Sequence, residues 1–289
     1  MENNIQIYRL PLQPDFAKQL YYHTMRKGFI LFSGLIVYSI LSNAQDRVFT
    51  YTYQSNVLTP QEREIEVYNT FHFGRQDFYR AYQSKIEFET GIAQNLQASF
   101  YLITNTQTGY NLKNDSAISS SSSFAIANEW KYKLSDPVAN AIGSAIYTEF
   151  ELSKDEFEWE NKIILDKKIG RNTFALNAVG ELEYGKKAVN KILENEREFK
   201  AELFFGYAYY LGKGLNAGFE ARNINARSDG EWGSVNLFAG PVISYFRNNF
   251  WVNLTVMPQI SSFKGATYKG LDLKNYEKLE ARLAFSFEL

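Results

Sequence analysis

The chain closes on Lys278-Leu279-Glu280-Ala281-Arg282-Leu283-Ala284-Phe285-Ser286-Phe287-Glu288-Leu289. Leu279, Ala281, Leu283, Phe285, Phe287 and Leu289 alternate with Glu280, Arg282, Ala284, Ser286 and Glu288. Successive side chains of a strand point to opposite faces, so this segment has one apolar face and one polar, charged face. The first suits lipid and the second an aqueous interior, which is the two-residue period of a strand that crosses a membrane.

The same alternation recurs toward the N-terminus, in pairs of segments joined by turn residues. Phe250–Ile260 and Ser234–Phe246 meet at Arg247-Asn248-Asn249, and Leu215–Asn225 and Glu198–Leu211 at Gly212-Lys213-Gly214. Thr173–Tyr184 and Phe157–Ile169 meet at Gly170-Arg171-Asn172, and Ala141–Leu152 and Phe124–Leu134 at Ser135-Asp136-Pro137. Leu96–Thr104 and Tyr82–Gly91 meet around Ala93-Gln94-Asn95, and Glu64–Phe73 leads into Tyr82–Gly91 through Gly74-Arg75-Gln76-Asp77. The expected fold is therefore all-β, a 12-stranded antiparallel transmembrane β-barrel over residues 62–289. An even strand count places both ends on the periplasmic side.

Connection lengths alternate as that topology requires. Short turns at 92–95, 135–140, 170–172, 212–214 and 247–249 are expected in the periplasm. Longer polar loops at 105–122, 185–197, 226–233 and 262–275, with shorter ones at 74–80 and 153–156, are expected outside. Ser119–Ser123 reads as a mobile low-complexity loop. Phe246, Phe250, Trp251, Tyr209 and Tyr210, close to strand ends, read as an interfacial aromatic girdle. Arg47–Gln54 also alternates, but a thirteenth strand would break the parity. Residues 45–61 are therefore expected to form a periplasmic or lumenal segment.

Composition agrees with this reading. The 289 residues include 20 Tyr and 23 Phe but only 6 Pro, a balance that favours strands. With 31 Lys+Arg against 32 Asp+Glu the net charge is −1, so no basic excess points to nucleic acid. The absence of Cys excludes a disulfide framework and thiolate metal sites.

Met25-Arg26-Lys27, the apolar run Gly28–Leu41 and the small-residue site Ser42-Asn43-Ala44 together read as a cleaved secretory signal over residues 25–44. The run is shorter than the roughly 20 residues that a transmembrane helix needs. Residues 1–24, with Pro11 and Pro14, do not resemble the start of a signal and suggest that translation begins at Met25. Export and a terminal amphipathic strand favour an outer-membrane barrel over a soluble 12-stranded barrel or sandwich, which would bury its Leu/Phe faces. The C-terminal strand resembles the assembly signal of outer-membrane barrels, with Leu289 where Phe or Trp is commoner. Its implied partners are the outer-membrane lipid and the barrel-assembly machinery.

The sequence resembles a family of Bacteroidota outer-membrane barrels of unassigned role, some of whose relatives are labelled putative transporters or likened to a barrel from a phenol-degradation operon. The resemblance rests on Tyr53-Gln54-Ser55-Asn56-Val57-Leu58, Glu64-Ile65-Glu66-Val67, Glu87-Phe88-Glu89-Thr90-Gly91-Ile92, Asn128–Pro137 and Gly240-Pro241. It implies the barrel and says little about activity.

Inward positions are heavily charged: Glu64 and Glu66; Lys85, Glu87 and Glu89; Glu158, Glu160, Lys162 and Asp166; Glu181 and Glu183; Lys200 and Glu202; Glu220 and Arg222; Glu280, Arg282 and Glu288. They suit a polar pathway that selects small solutes, or a mutually neutralising network that packs a narrow barrel. Twelve strands lie between filled eight-stranded and open 16–18-stranded barrels, so both readings stand. Enzymatic readings are weaker. An outer-membrane lipid hydrolase would need a His and a Ser together on the outer face, whereas His72 ends a strand, reads as a surface residue and has no matching Ser nearby. Same-face pairs such as Glu158 and Glu160 recur too often to identify a glycosidase. No phosphate loop, metal-ligand spacing or cofactor motif stands out. The sequence therefore favours a passive channel or transporter for small solutes through a charged lumen, with a closed structural or surface-binding barrel acting through its extracellular loops as the alternative.

Overall fold

The computed structural model describes residues 47–110, 118–189, 192–228 and 230–289. The expected signal segment 25–44 and the stretch 1–24 lie outside them. All regular structure among the described residues is strand: β1 (Arg63–Phe73), β2 (Tyr79–Ala93), β3 (Leu96–Tyr110), β4 (Ile118–Ser135), β5 (Gly143–Ser153), β6 (Glu156–Ile169), β7 (Asn172–Val189), β8 (Ile192–Gly212), β9 (Leu215–Ser228), β10 (Glu231–Arg247), β11 (Phe250–Lys264) and β12 (Leu279–Glu288). Each strand pairs antiparallel with its sequence neighbour, and β1 pairs with β12 from Glu64↔Glu288 to Phe73↔Leu279. The result is a closed 12-stranded barrel with no free sheet edge.

Alternation decides which way each strand faces. On β12, Glu280, Ala284, Ser286 and Glu288 are buried while Phe287 and Leu289 are exposed. Phe100, Leu102, Ile126, Ile146, Ile163, Leu203 and Ile243 are likewise exposed and form an apolar outer surface. Short connections follow from turn chemistry. Lys213 (φ 54°) and Gly214 (φ 82°) both adopt the left-handed conformation that a two-residue hairpin turn requires. At the 136–142 turn the Asp136 carboxylate accepts from Lys133 Nζ (2.7 Å) and from the backbone N–H of Val138 (2.9 Å) and Ala139 (3.0 Å). The Lys133 bond first, and the two N–H groups with it, hold this carboxyl at about 2, below its ordinary value.

Two sequence expectations are corrected. The described residues of the loops expected at 105–122, 185–197 and 226–233 are largely strand. The β3–β4 pairing runs out to Tyr110↔Ile118, β7–β8 to Val189↔Ile192 and β9–β10 to Glu231↔Ser228. Ser119–Ser123 is thus part of β4, not a loop, because cross-strand hydroxyls meet: Thr106 with Ser122 (3.1 Å) and Thr108 with Ser120 (3.0 Å). Second, three of the five expected girdle aromatics sit on inward positions. Trp251 is fully buried and donates Nε1–H to Glu64 (2.8 Å), Phe246 packs against the cluster of Trp251, Tyr68 and Ala284, and Tyr210 stacks on Phe246. Phe250 and Tyr209 do face outward, together with aromatics such as Phe71, Phe73 and Tyr82, and Phe285 and Phe287.

The connection 265–278 is folded rather than extended. Asp272 N donates to Gln259 Oε1 (2.8 Å), Gln76 N donates to Leu273 O (2.8 Å), and Lys278 N donates to Gly74 O (2.6 Å). Tyr276 then packs against Tyr51, Ile224, Phe238 and Met257, which brings this loop onto the lumen at the side of β9–β11.

Candidate functional site

Among the described residues that precede β1, Arg47–Leu58 lie in the lumen. Arg47, Val48, Phe49, Thr50, Tyr51 and Thr52 are all buried, yet none belongs to a strand. Their backbone polar groups cannot reach water and find partners on the wall instead. Glu220 on β9 accepts from the N–H of Thr50 (3.0 Å), Tyr51 (2.9 Å) and Thr52 (2.8 Å), and from the hydroxyls of Thr50 (3.0 Å) and Thr255 (2.6 Å). Asn177 on β7 accepts from Tyr53 N (2.6 Å) and donates to Tyr53 O (2.9 Å), Asn253 on β11 donates to Arg47 O (3.0 Å), and Gln97 on β3 accepts from Leu58 N (2.9 Å).

Side chains complete the plug. Phe49 sits with Val48, Ala175, Ala208 and Val242, over Gly206, where even a Cβ would lie 2.8 Å from the Phe49 ring. Tyr51 lies between Arg222 (4.5 Å from its ring centre) and Arg282 (3.9 Å) and donates its hydroxyl to Glu280 (3.0 Å). Tyr53 meets Tyr147 edge-on (5.2 Å between ring centres) and lies beneath Arg47 (4.4 Å) and Lys162 (4.2 Å). Residues 47–58 therefore occupy the lumen through polar and cation–π contacts as well as apolar packing.

Among the charged residues singled out in the sequence, Asp166 and Glu288 are buried. Glu64, Glu66, Glu87, Glu89, Lys162, Glu202, Glu220 and Glu280 are buried, while Lys85, Glu158, Glu160, Glu181, Glu183, Lys200, Arg222 and Arg282 are half-buried. Strand register arranges them in a way that spacing along one strand does not reveal. Direct cross-strand partners run Glu288↔Glu64↔Glu89↔Ser99↔Glu129↔Glu149↔Glu160↔Glu181↔Lys200, from β12 through β1 to β8. A second row runs Glu151↔Glu158↔Glu183↔Glu198. Acid thus faces acid across neighbouring strands, which costs stability unless cations intervene. Some do: Arg47–Glu66 (3.1 Å), Lys85–Glu149 (3.8 Å), Lys162–Glu160 (2.6 Å), Lys200–Glu181 (2.9 Å) and Arg222–Glu280 (2.8 Å). The neutralising network is therefore real but partial, with carboxylates in excess.

Toward the side of the long connections the lumen widens into a cavity of about 180 Å³, lined by Gln83, Lys85, Asn105, Glu149, Glu151, Glu158, Glu160, Glu181 and Arg282. Glu129, Lys131, Glu149 and Glu151, absent from the inward charges expected from the sequence, occupy inward positions of β4 and β5. The same alternation on those strands carried their signal.

His72 is not a surface residue. It faces inward at the strand end, where Glu277 bonds its Nδ1 and Arg75 Nη2 reaches the other Glu277 oxygen (3.3 Å). It therefore does not supply the lipid-facing His of an outer-face hydrolase.

Together these features define an outer-membrane type of β-barrel: 12 strands, an apolar outer face, and an acidic lumen occupied by residues 47–58 of the same chain. The chain belongs to a family of unknown function (DUF6662), whose model matches residues 41–289. A comparison with curated proteins finds no match. Among solved structures it is similar to the COG4313 outer membrane channel from Pseudomonas putida F1 (TM-score 0.58, 10% identity, 84% of this chain and 100% of that one). It is also similar to the NanC porin (0.50, 11%, 78% and 100%) and to the translocator domain of the autotransporter NalP from Neisseria meningitidis (0.50, 10%, 79% and 88%). At these identities the likeness is one of fold.

Proposed function

We propose that the protein is a passive channel of the outer membrane for small solutes, closed at rest by residues 47–58 and favouring cations when open. The observation that carries the reading is the row of carboxylates around the wall, leading from the plug into the acidic 180 Å³ cavity. A barrel needing only to be filled is better served by apolar packing than by buried carboxylates facing one another. Charge rings of one sign are how pores select ions and solutes. The fold shared with an outer membrane channel and a porin supports the same reading.

A closed barrel that acts through its surface is the second reading, and the burial of Phe49, Thr50 and Thr52 favours it. Planar-bilayer recording separates the two. The folded protein should conduct rarely, and a variant lacking residues 47–58 should conduct steadily while keeping heat-modifiable migration. A deletion variant that folds and stays silent would overturn the channel and leave the closed barrel.

A further inference from the structure

On the wall of β1, β2 and β4, Glu64, Glu66, Glu87, Glu89 and Glu129 are each no more than 1% exposed. Glu64 lies opposite Glu89, and Glu66 opposite Glu87. Carboxylate oxygens of Glu87, Glu89 and Glu129 lie within 4.8 Å of one another, as do those of Glu64, Glu66 and Glu89. Proximity alone would mean little, but the hydrogen bonding is one-sided. One oxygen of Glu129 accepts from the Tyr101 hydroxyl, one of Glu89 from Ser99 (3.4 Å), and one of Glu64 from Trp251 (2.8 Å) and Ser286. The other oxygen of each is buried with no donor, and Glu87 finds none for either of its two. Arg47 pairs with Glu66, and Lys131 stands two positions along β4 from Glu129, so nearby cations are fewer than the carboxylates.

Glu64, Glu89 and Glu129 are each oriented through one oxygen and keep the other bare, and Glu87, bare at both, stands within the same cluster; buried carboxylates gathered in this way resemble metal ligands held by outer hydrogen bonds. An all-oxygen, anionic donor set suits a hard divalent cation, and a flexible ring of Glu side chains suits Ca²⁺ better than Mg²⁺. We propose that Glu87, Glu89 and Glu129 bind a Ca²⁺-type cation, with Glu64 extending the site. Such an ion would tie β1, β2 and β4 together and offset the repulsion between facing glutamates. It would be part of the wall rather than of the solute path, so the proposal does not depend on whether the barrel conducts.

The test uses the folded full-length protein in detergent, stripped with chelator and titrated with Tb³⁺ as the probe ion. Tyr101, whose hydroxyl bonds Glu129, and Trp251, which bonds Glu64, stand close enough to sensitise its emission. Saturable emission that Ca²⁺ displaces is expected, with Glu87→Gln weakening Tb³⁺ binding tenfold or more. Emission that survives Glu87→Gln and is lost in Glu158→Gln would overturn the assignment, because the ion would then sit in the cavity. If Glu87→Gln does not fold, elemental analysis of the dialysed wild-type protein decides: about one Ca²⁺ per chain supports the site. The absence of both bound metal and saturable emission overturns it in favour of glutamates that share protons.

Discussion

Glu220 shows how one residue can hold a whole segment. Its two oxygens take five donors, three of them consecutive backbone N–H groups, at a fully buried position. A Gln there keeps the shape but turns an NH₂ toward groups that are themselves donors. Leaving buried donors unpaired costs about 1–3 kcal/mol each, so Glu220→Gln should weaken docking of the segment by on the order of 3 kcal/mol. Limited proteolysis of the folded barrel should then cut within residues 47–58 many times faster than in the wild type. An unchanged rate would mean that the seat lies elsewhere, with Asn177 and Asn253 the next candidates.

At the scale of elements, the connection 265–278 is held down by a charge cluster as well as by backbone bonds. Burial alone would raise the Glu277 carboxyl, but the His72 hydrogen bond and charge, with Arg75 behind them, hold it at about 2 against an ordinary 4.5. A carboxyl with a depressed folded value stabilises the fold above its unfolded value and loses that contribution as pH falls toward the folded one. The contribution should therefore be complete above about pH 4.5 and vanish near pH 2. Partial exposure of His72 and Arg75 screens it, so on the order of 3 kcal/mol is an upper figure. Thermal unfolding of wild type and Glu277→Gln should differ most at pH 5 and converge as the solution is acidified. A gap that does not narrow would assign the effect to lost packing.

At the scale of the whole molecule, closure of the sheet turns a local pattern into a field. Glu on one strand is unremarkable, but the barrel register places Glu beside Glu across β4 to β7, around a low-dielectric wall. A barrel freed of residues 47–58 should therefore show a reversal potential of cation-selective sign in a salt gradient. Replacing Glu149, Glu158 and Glu160 together with Gln should move it toward zero. Anion selectivity in the unplugged barrel would contradict this reading of the lumen.

Strand number and strand boundaries near the short turns are legible because each depends on alternation within a few residues, which side-chain geometry fixes locally. Gly212-Lys213-Gly214 and Arg247-Asn248-Asn249 marked their turns for the same local reason. The place of Trp251 is not legible in the sequence because an aromatic at a strand end suits lipid or lumen alike, and only the partner Glu64 distinguishes them. The strand at Ser119–Ser123 is not legible either, because its pairing depends on Thr106 and Thr108 of β3, which hydroxyl composition alone does not announce. The sequence by itself determined a barrel and which faces are polar. Only the tertiary structure decided which carboxylates become neighbours and that Arg47–Leu58 lies within the lumen, since strand register and the seat on Glu220 join residues far apart in the chain.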